Sequence, residues 1–231
     1  MKKIPFSSPD IQDVDIEAVS AVIRSGWLAH GDYSHKLEEL FCSFTGARYA
    51  TTVSNCTAGL HLSCIAAGFG PGDEVIVPAQ THTATSHAVE FTGAKAVFVD
   101  VDPITGNILI EKIEQHINES TKGIIPVHMA GYPCDMDKIL SISDQYNLFL
   151  IEDCAHALGT RFETNHVGNF GSTGCFSFYP TKQITTGEGG VVISNNEEVI
   201  ENIKKMKAFG IDTPPELRKK PGVYDVQGLG Y

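Results

Sequence analysis

Apolar positions along this chain come in short runs rich in β-branched residues, and most of the early runs are separated by amphipathic stretches. The runs are 49–54 (YATTVS), 74–79 (EVIVPA), 95–101 (KAVFVDV), 123–129 (GIIPVHM), 148–154 (LFLIEDC), 175–180 (CFSFYP) and 190–195 (GVVISN). Nearly continuous apolar runs of this length predict strands covered on both faces. The clearest helical pattern, 57–68, stops at Gly68 and Gly70 with Pro71 beyond, residues that end helices. Further helices are predicted over 82–92, over 108–120 with an apolar stripe at Ile110, Ile113 and Ile117, and from Asp135, a suitable N-cap. Strands alternating with helices predict an α/β fold around a mainly parallel sheet. No helical pattern separates the last two runs, so an antiparallel pair is open there.

The length of 231 residues is ample for one sizeable α/β core. A net charge of −11 argues against nucleic acid and anionic membranes as partners. No run is long enough to span a bilayer, and MKKIPFSSPD has no apolar signal-peptide core. The six cysteines (Cys42, Cys56, Cys64, Cys134, Cys154, Cys175) form no C-x-x-C pair. They predict reduced, small core side chains in a cytoplasmic protein. His82 with His87, and His30 with His35, lack helical i, i+4 spacing and acidic neighbours, so no metal site is expected. After about 210 the sequence turns polar and Pro-rich, then closes on Leu229, Gly230 and Tyr231. The expectation is a chain cut from a longer protein, poorly ordered in this stretch because it has little to bury.

Ligands of open α/β sheets bind beyond the carboxyl ends of strands, and three such ends carry unusual groups here. After the first run, in SNCTAGLH, Ser54 or Asn55 can cap the next helix. The amides of Cys56, Thr57 and Ala58 then point out of its first turn, which suits a phosphate and equally suits a plain capped helix. GFGPG, 68–72, is similar to a dinucleotide loop, but it follows a helix and Pro71 deletes a donor. It reads as a helix terminus and turn. Glu152 and Asp153 close a buried run. Adjacent strand residues face opposite sides, so one of the two faces any given pocket, and a buried carboxylate needs a cation or strong donors. Capping a helix over CAHALG is the alternative use. In CFSFYPTKQITTGEGGVVIS, Ser177 ends an aromatic run, Lys182 lies just beyond, and Gly187, Gly189 and Gly190 allow close backbone approach. A phosphate cradle, a buried carboxylate and a lysine in a tight loop are the parts that pyridoxal 5′-phosphate (PLP) requires.

These segments resemble the DegT/DnrJ/EryC1/StrS family of PLP-dependent sugar aminotransferases. The resemblance is carried by GWLAHGDYSHKLEELF, SNCTAGLHLSCIAAGFGPGDEVIVPAQTHTATSHAV, PVHMAGYPCDMDKI, IEDCAHALGT and GCFSFYPTKQITTGEGGVV. It implies a type I, aspartate aminotransferase-like fold, whose large domain has a mainly parallel seven-stranded sheet with helices on both faces. Residues 1–210 would be this PLP-binding domain, and 211–231 the start of a connection to a smaller C-terminal domain. By position, Lys182 would form the Schiff base with PLP and then act as acid and base. Asp153 would pair with the pyridinium nitrogen. Ser177 and the amides of Cys56 and Thr57 would hold the phosphate, and His156 would lie near the phenolic oxygen. His82 falls where the family usually puts an aromatic ring over the pyridine face, a departure that adds a titratable group. The implied reaction moves an amino group from glutamate to a nucleotide-linked keto-deoxysugar, in amino-sugar or surface polysaccharide biosynthesis. The family works as a homodimer with shared active sites. A non-catalytic PLP-binding fragment is the alternative. A PLP-dependent sugar dehydratase is disfavoured, because those relatives carry histidine in place of the lysine.

Overall fold

Among the described residues of the computed structural model, seven of nine strands form one sheet. The structure describes residues 4, 5, 7–211, 220, 223, 225, 226 and 228–231. The strands of this sheet are β1 (Tyr49–Val53), β2 (Glu74–Pro78), β3 (Lys95–Val99), β4 (Thr121–Ile124), β5 (Phe149–Asp153), β8 (Thr173–Ser177) and β9 (Gly190–Ser194). Their order is β1-β9-β8-β5-β4-β2-β3. The pairs from β3 through β2, β4 and β5 to β8 are parallel. β9 runs antiparallel to both β8 and β1, in the place that the missing helix left open.

Helices α1 (Asp13–Ser25) and α2 (Asp32–Thr45) precede the sheet. Then come α3 (Cys56–Ala66), α4 (Thr83–Glu90), α5 (Ile110–Ile113), α6 (Met136–Tyr146) and α7 (Glu197–Met206). On one face, Leu60 and Cys64 of α3 and Ile200 of α7 pack with Val75, Ile151, Cys175 and Val192. On the other, Phe41 of α2 packs with Phe176, Phe178, Val191 and Ile193, its ring 5.1 Å from that of Phe176. Successive residues of β9 therefore enter opposite cores, which is why the run is apolar throughout. Each fully buried side chain of this size contributes about 1.5–3 kcal/mol of transfer free energy. Five cysteines are buried, Cys42 is partly exposed, and all six are free.

The edge of β1 is closed by side chains. Glu38 accepts from the Thr52 amide at 2.6 Å, and Lys207 donates to the Thr52 carbonyl at 2.8 Å. An ion pair laid on a strand edge blocks pairing with another chain. Glu38 also lies 3.4 Å from His35, an acidic neighbour that the sequence reading did not give this histidine. Burial pushes the Glu38 carboxyl up, but Thr52, Lys207 and His35 outweigh it and hold it below its ordinary value.

Two elements differ from expectation. The helix predicted over 108–120 is one α-turn, α5, followed by a 3-10 turn at Glu114–His116. Ile108 is held in a bridge to Val101, and the Asn118 amide donates to Thr121 Oγ1 at 3.0 Å just before β4. Few residues remain between these anchors, although Ile113 is still fully buried. The unanticipated piece is a hairpin of β6 (Arg161–Phe162) and β7 (Asn165–His166), turned by Glu163 at φ 52°. GFGPG is the expected terminus and turn, with Gly68 at φ 78° and the Gly70 amide donating to Asp73. In the tail, the Tyr231 amide donates to the Met206 carbonyl at 2.8 Å. Residues 212–219, 221, 222, 224 and 227, where loose order was expected, lie outside the described residues. Among the described residues no helix is long and apolar enough to cross a membrane.

Candidate active site

The N-terminus of α3 opens at the end of β1. Asn55, in extended conformation, accepts from the Ala58 amide at 2.8 Å, so it and not Ser54 is the cap. That bond uses one of the three amides expected to be free. Among the described residues, the Cys56 and Thr57 amides meet no protein acceptor. Gly190 explains part of the glycine run: a Cβ there would come within 2.8 Å of the Asn55 carbonyl carbon and 2.9 Å of the Cys56 nitrogen. Glycine thus lets β9 lie against the first peptide of α3. Ser177 is paired with Gly190 across the ladder, and its hydroxyl accepts from the Tyr179 amide at 3.3 Å.

Lys182 sits in a wound loop between β8 and β9. Its amide donates to the Tyr179 carbonyl at 2.9 Å, and the loop closes through Phe178 donating to Gly189 at 2.9 Å. The side chain is half-buried. Burial holds its ammonium below the ordinary lysine value, against the opposing pull of Asp153 and Cys56. Burial also pushes the Cys56 thiol well up, so it stays a neutral thiol.

Asp153 is 4% exposed. Its Oδ2 accepts from the Thr85 hydroxyl at 2.8 Å and its Oδ1 from the Ala155 amide at 3.0 Å. The residues after it form turns, not a helix, so it caps none. Glu152 faces the opposite side. It accepts from the amides of Gly168, Phe170 and Gly171 at 2.7–2.8 Å and from His128 Nε2 at 3.0 Å. His128 Nδ1 accepts from the Cys134 amide at 3.1 Å, which puts its ring proton on Nε2. His128, Glu152 and Cys154 lie close enough together to suggest a metal centre. The His128 and Glu152 atoms, however, are committed to each other and to backbone amides, and burial pushes the Cys154 thiol well up.

The two predicted histidines join the same side. His156 is half-buried, and its Nδ1 accepts from the Ala130 amide at 3.4 Å. Burial and then Lys182 lower its pKa, while Asp153 pulls it up. His82 is near enough to act on the charge of His156. It is also the N-cap of α4, with Nδ1 accepting from the Ala84 amide at 3.2 Å, a role that its sequence position did not suggest. Lys182, Asp153, Cys56, His156 and His82, drawn from the ends of four strands, therefore form one electrostatically coupled group. Thr85 is the member that sequence reasoning missed. A signal existed: Thr85 is in helical phase with Ala88 and Val89 on the buried face of α4, and a buried hydroxyl needs a partner.

The model of the DegT/DnrJ/EryC1/StrS aminotransferase family matches residues 9–231. The chain belongs to that family. An aminotransferase from Psychrobacter cryohalolentis superposes with a TM-score of 0.92 at 37% identity, over 98% of this chain and 59% of the other. Helicobacter pylori PseC, an aminotransferase involved in the biosynthesis of pseudoaminic acid, superposes with a TM-score of 0.91 at 30% identity, over 100% of this chain and 61% of the other. An uncharacterised protein of Methanocaldococcus jannaschii is 47% identical over 208 residues, 90% of this chain and 54% of that protein. The chain thus spans little more than half the length of these relatives. A PLP form is among the matched structures.

Proposed function

We propose that the protein is a PLP-dependent aminotransferase that passes an amino group, with glutamate as donor, to a nucleotide-linked keto-deoxysugar. The observation that carries this reading is that Lys182 lies within reach of the charge of Asp153 and of Cys56, at the N-terminus of α3 whose first amides are open. The donor set suits PLP: an amine, a buried carboxylate, two amides without a protein acceptor at a helix end, and a serine paired across the ladder with the glycine that lies against that end. When bound, PLP supplies the electron sink for moving an amino group.

The chain's residues supply the rest. Partial burial of Lys182 favours its neutral amine, the form able to act as nucleophile and to accept a proton. Asp153, locked by Thr85 and Ala155, presents a fixed negative charge to a ring nitrogen. The Cys56 and Thr57 amides and the Ser177 hydroxyl orient a phosphate at the positive end of the α3 dipole. His156, with Nδ1 occupied by Ala130, carries its ring proton on Nε2, where it can donate to a phenolic oxygen. His82 offers a flat face for stacking. The glutamate donor, the nucleotide linkage, the place in surface polysaccharide or other amino-sugar synthesis and the homodimer rest on the family resemblance. The cytoplasmic assignment rests on the six unpaired cysteines. Assignment of 1–210 as the PLP-binding domain, with 211–231 leading to a smaller one, belongs to the same proposal.

The test is borohydride reduction of the PLP-loaded protein followed by peptide mapping. The pyridoxyl group is expected on Lys182; labelling of another lysine, with Lys182 unmodified, overturns the assignment. Turnover with glutamate and a keto-sugar separates an aminotransferase from a protein that only binds PLP.

A further inference from the structure

Hydroxyls inside helices usually bond back to their own backbone. On α4 and just after it, Ser86 donates to the Thr83 carbonyl and Thr92 to the Val89 carbonyl. Thr85 does otherwise. It is completely buried, and its one proton goes across to Asp153 Oδ2 at 2.8 Å, on a strand 68 residues away in the chain. A carboxylate only accepts, so Thr85 is the donor. The Thr81 and Thr85 hydroxyl oxygens are also 2.8 Å apart. With the Thr85 proton already committed, the proton in that contact belongs to Thr81.

We propose that Thr81 and Thr85 form a two-hydroxyl relay that orients Asp153, making Thr85 a positioning residue of the site. The inference rests on the reading of Asp153 as the partner of the PLP ring nitrogen. Donation runs from Thr81 to Thr85 to Asp153 Oδ2, and each bond polarises the next. The Ala155 amide holds Oδ1, so the carboxylate plane is set from both sides. A carboxylate held in this orientation would keep its negative charge against a pyridine nitrogen and so favour the protonated ring. Without the Thr85 hydroxyl the carboxylate loses one of its two anchors, its charge would lie less well against a ring nitrogen, and the protonated ring would be less favoured.

The experiment loads wild type, T85V, T85S and T81V with PLP labelled with 15N in the ring, and reads the ring nitrogen by NMR at one pH. Valine keeps the shape of threonine and removes the hydroxyl; serine keeps the hydroxyl. T85V should move the 15N signal toward the unprotonated position and T85S should restore it. T81V should move it less, in the same direction. Turnover of T85V should fall about tenfold, the cost of one hydrogen bond to a charged group, with the donor KM little changed. A 15N position in T85V equal to that of wild type overturns the relay. If T85V does not fold, T81V decides: an unchanged signal there overturns it. A wild-type protein that gives no bound ring signal overturns the aminotransferase reading itself, and the relay with it.

Discussion

Glu152 and Asp153 are chain neighbours at the end of β5, both buried and of like charge, yet they live in different surroundings. Glu152 is saturated: three backbone amides and His128 donate to its two oxygens, and all of these belong to loops that it holds in place. Asp153 has two donors, one per oxygen, and its charge acts on Lys182 and His156. A carboxylate enclosed by donors from its own fold works as a fastener for the 166–171 segment. A carboxylate oriented by two donors and left partly open can serve a ligand. Burial alone does not distinguish them; the number and origin of the donors does.

Glu152→Ala should have the largest effect. It strands three amides and the His128 N–H in the core, a loss of about 3–5 kcal/mol in stability, as for breaking a buried pair from one side. Denaturant titration measures it, and a stability near that of wild type would erase the proposed difference between the carboxylates. Asp153→Asn should do the reverse. It keeps the shape, and its cost falls on turnover, about 2–4 kcal/mol of transition-state stabilisation by analogy with deleting one preorganised electrostatic partner. Steady-state kinetics beside the same denaturant titration will show whether activity and stability separate in this way. Normal turnover in Asp153→Asn would pass the role to another group. His82 sharpens the Asp153 side with a smaller change. His82→Ala should lose about 1 kcal/mol of cap stability and retain PLP poorly. His82→Phe should lose the cap but keep most PLP binding and activity through its flat ring. Equal loss of PLP in both variants would mean that the histidine acts through its nitrogens.

Much of the frame is legible in the sequence because its causes are local. Each of the seven strands overlaps one of the apolar runs, β4 and β8 beginning two residues before theirs, and α3, α4 and α6 fall where periodicity and cap chemistry put them. The 108–120 segment misled because its isoleucine stripe reports which face is buried, not how much chain is free to wind between the Val101–Ile108 bridge and β4. The 161–166 hairpin has strands of two residues, too short for any period to register. In the candidate site, Lys182, Asp153 and the α3 N-terminus stand out from residue type and position at strand ends. The choice of Asn55 over Ser54 as cap, the second role of His82 and the part played by Thr85 do not.

From sequence alone come the alternation of strand and helix, the glycines that permit close approach at β9, and the rule that Glu152 and Asp153 must face apart. These follow from backbone periodicity and sterics within a few residues. Which carboxylate is sealed and which remains open is decided only by the tertiary structure. The Thr85 donor to Asp153 is 68 residues distant, and the amide donors to Glu152 lie 16–19 residues further along the chain. Hydrogen bonds act over about 3 Å, so their partners are set by which elements the sheet order brings side by side.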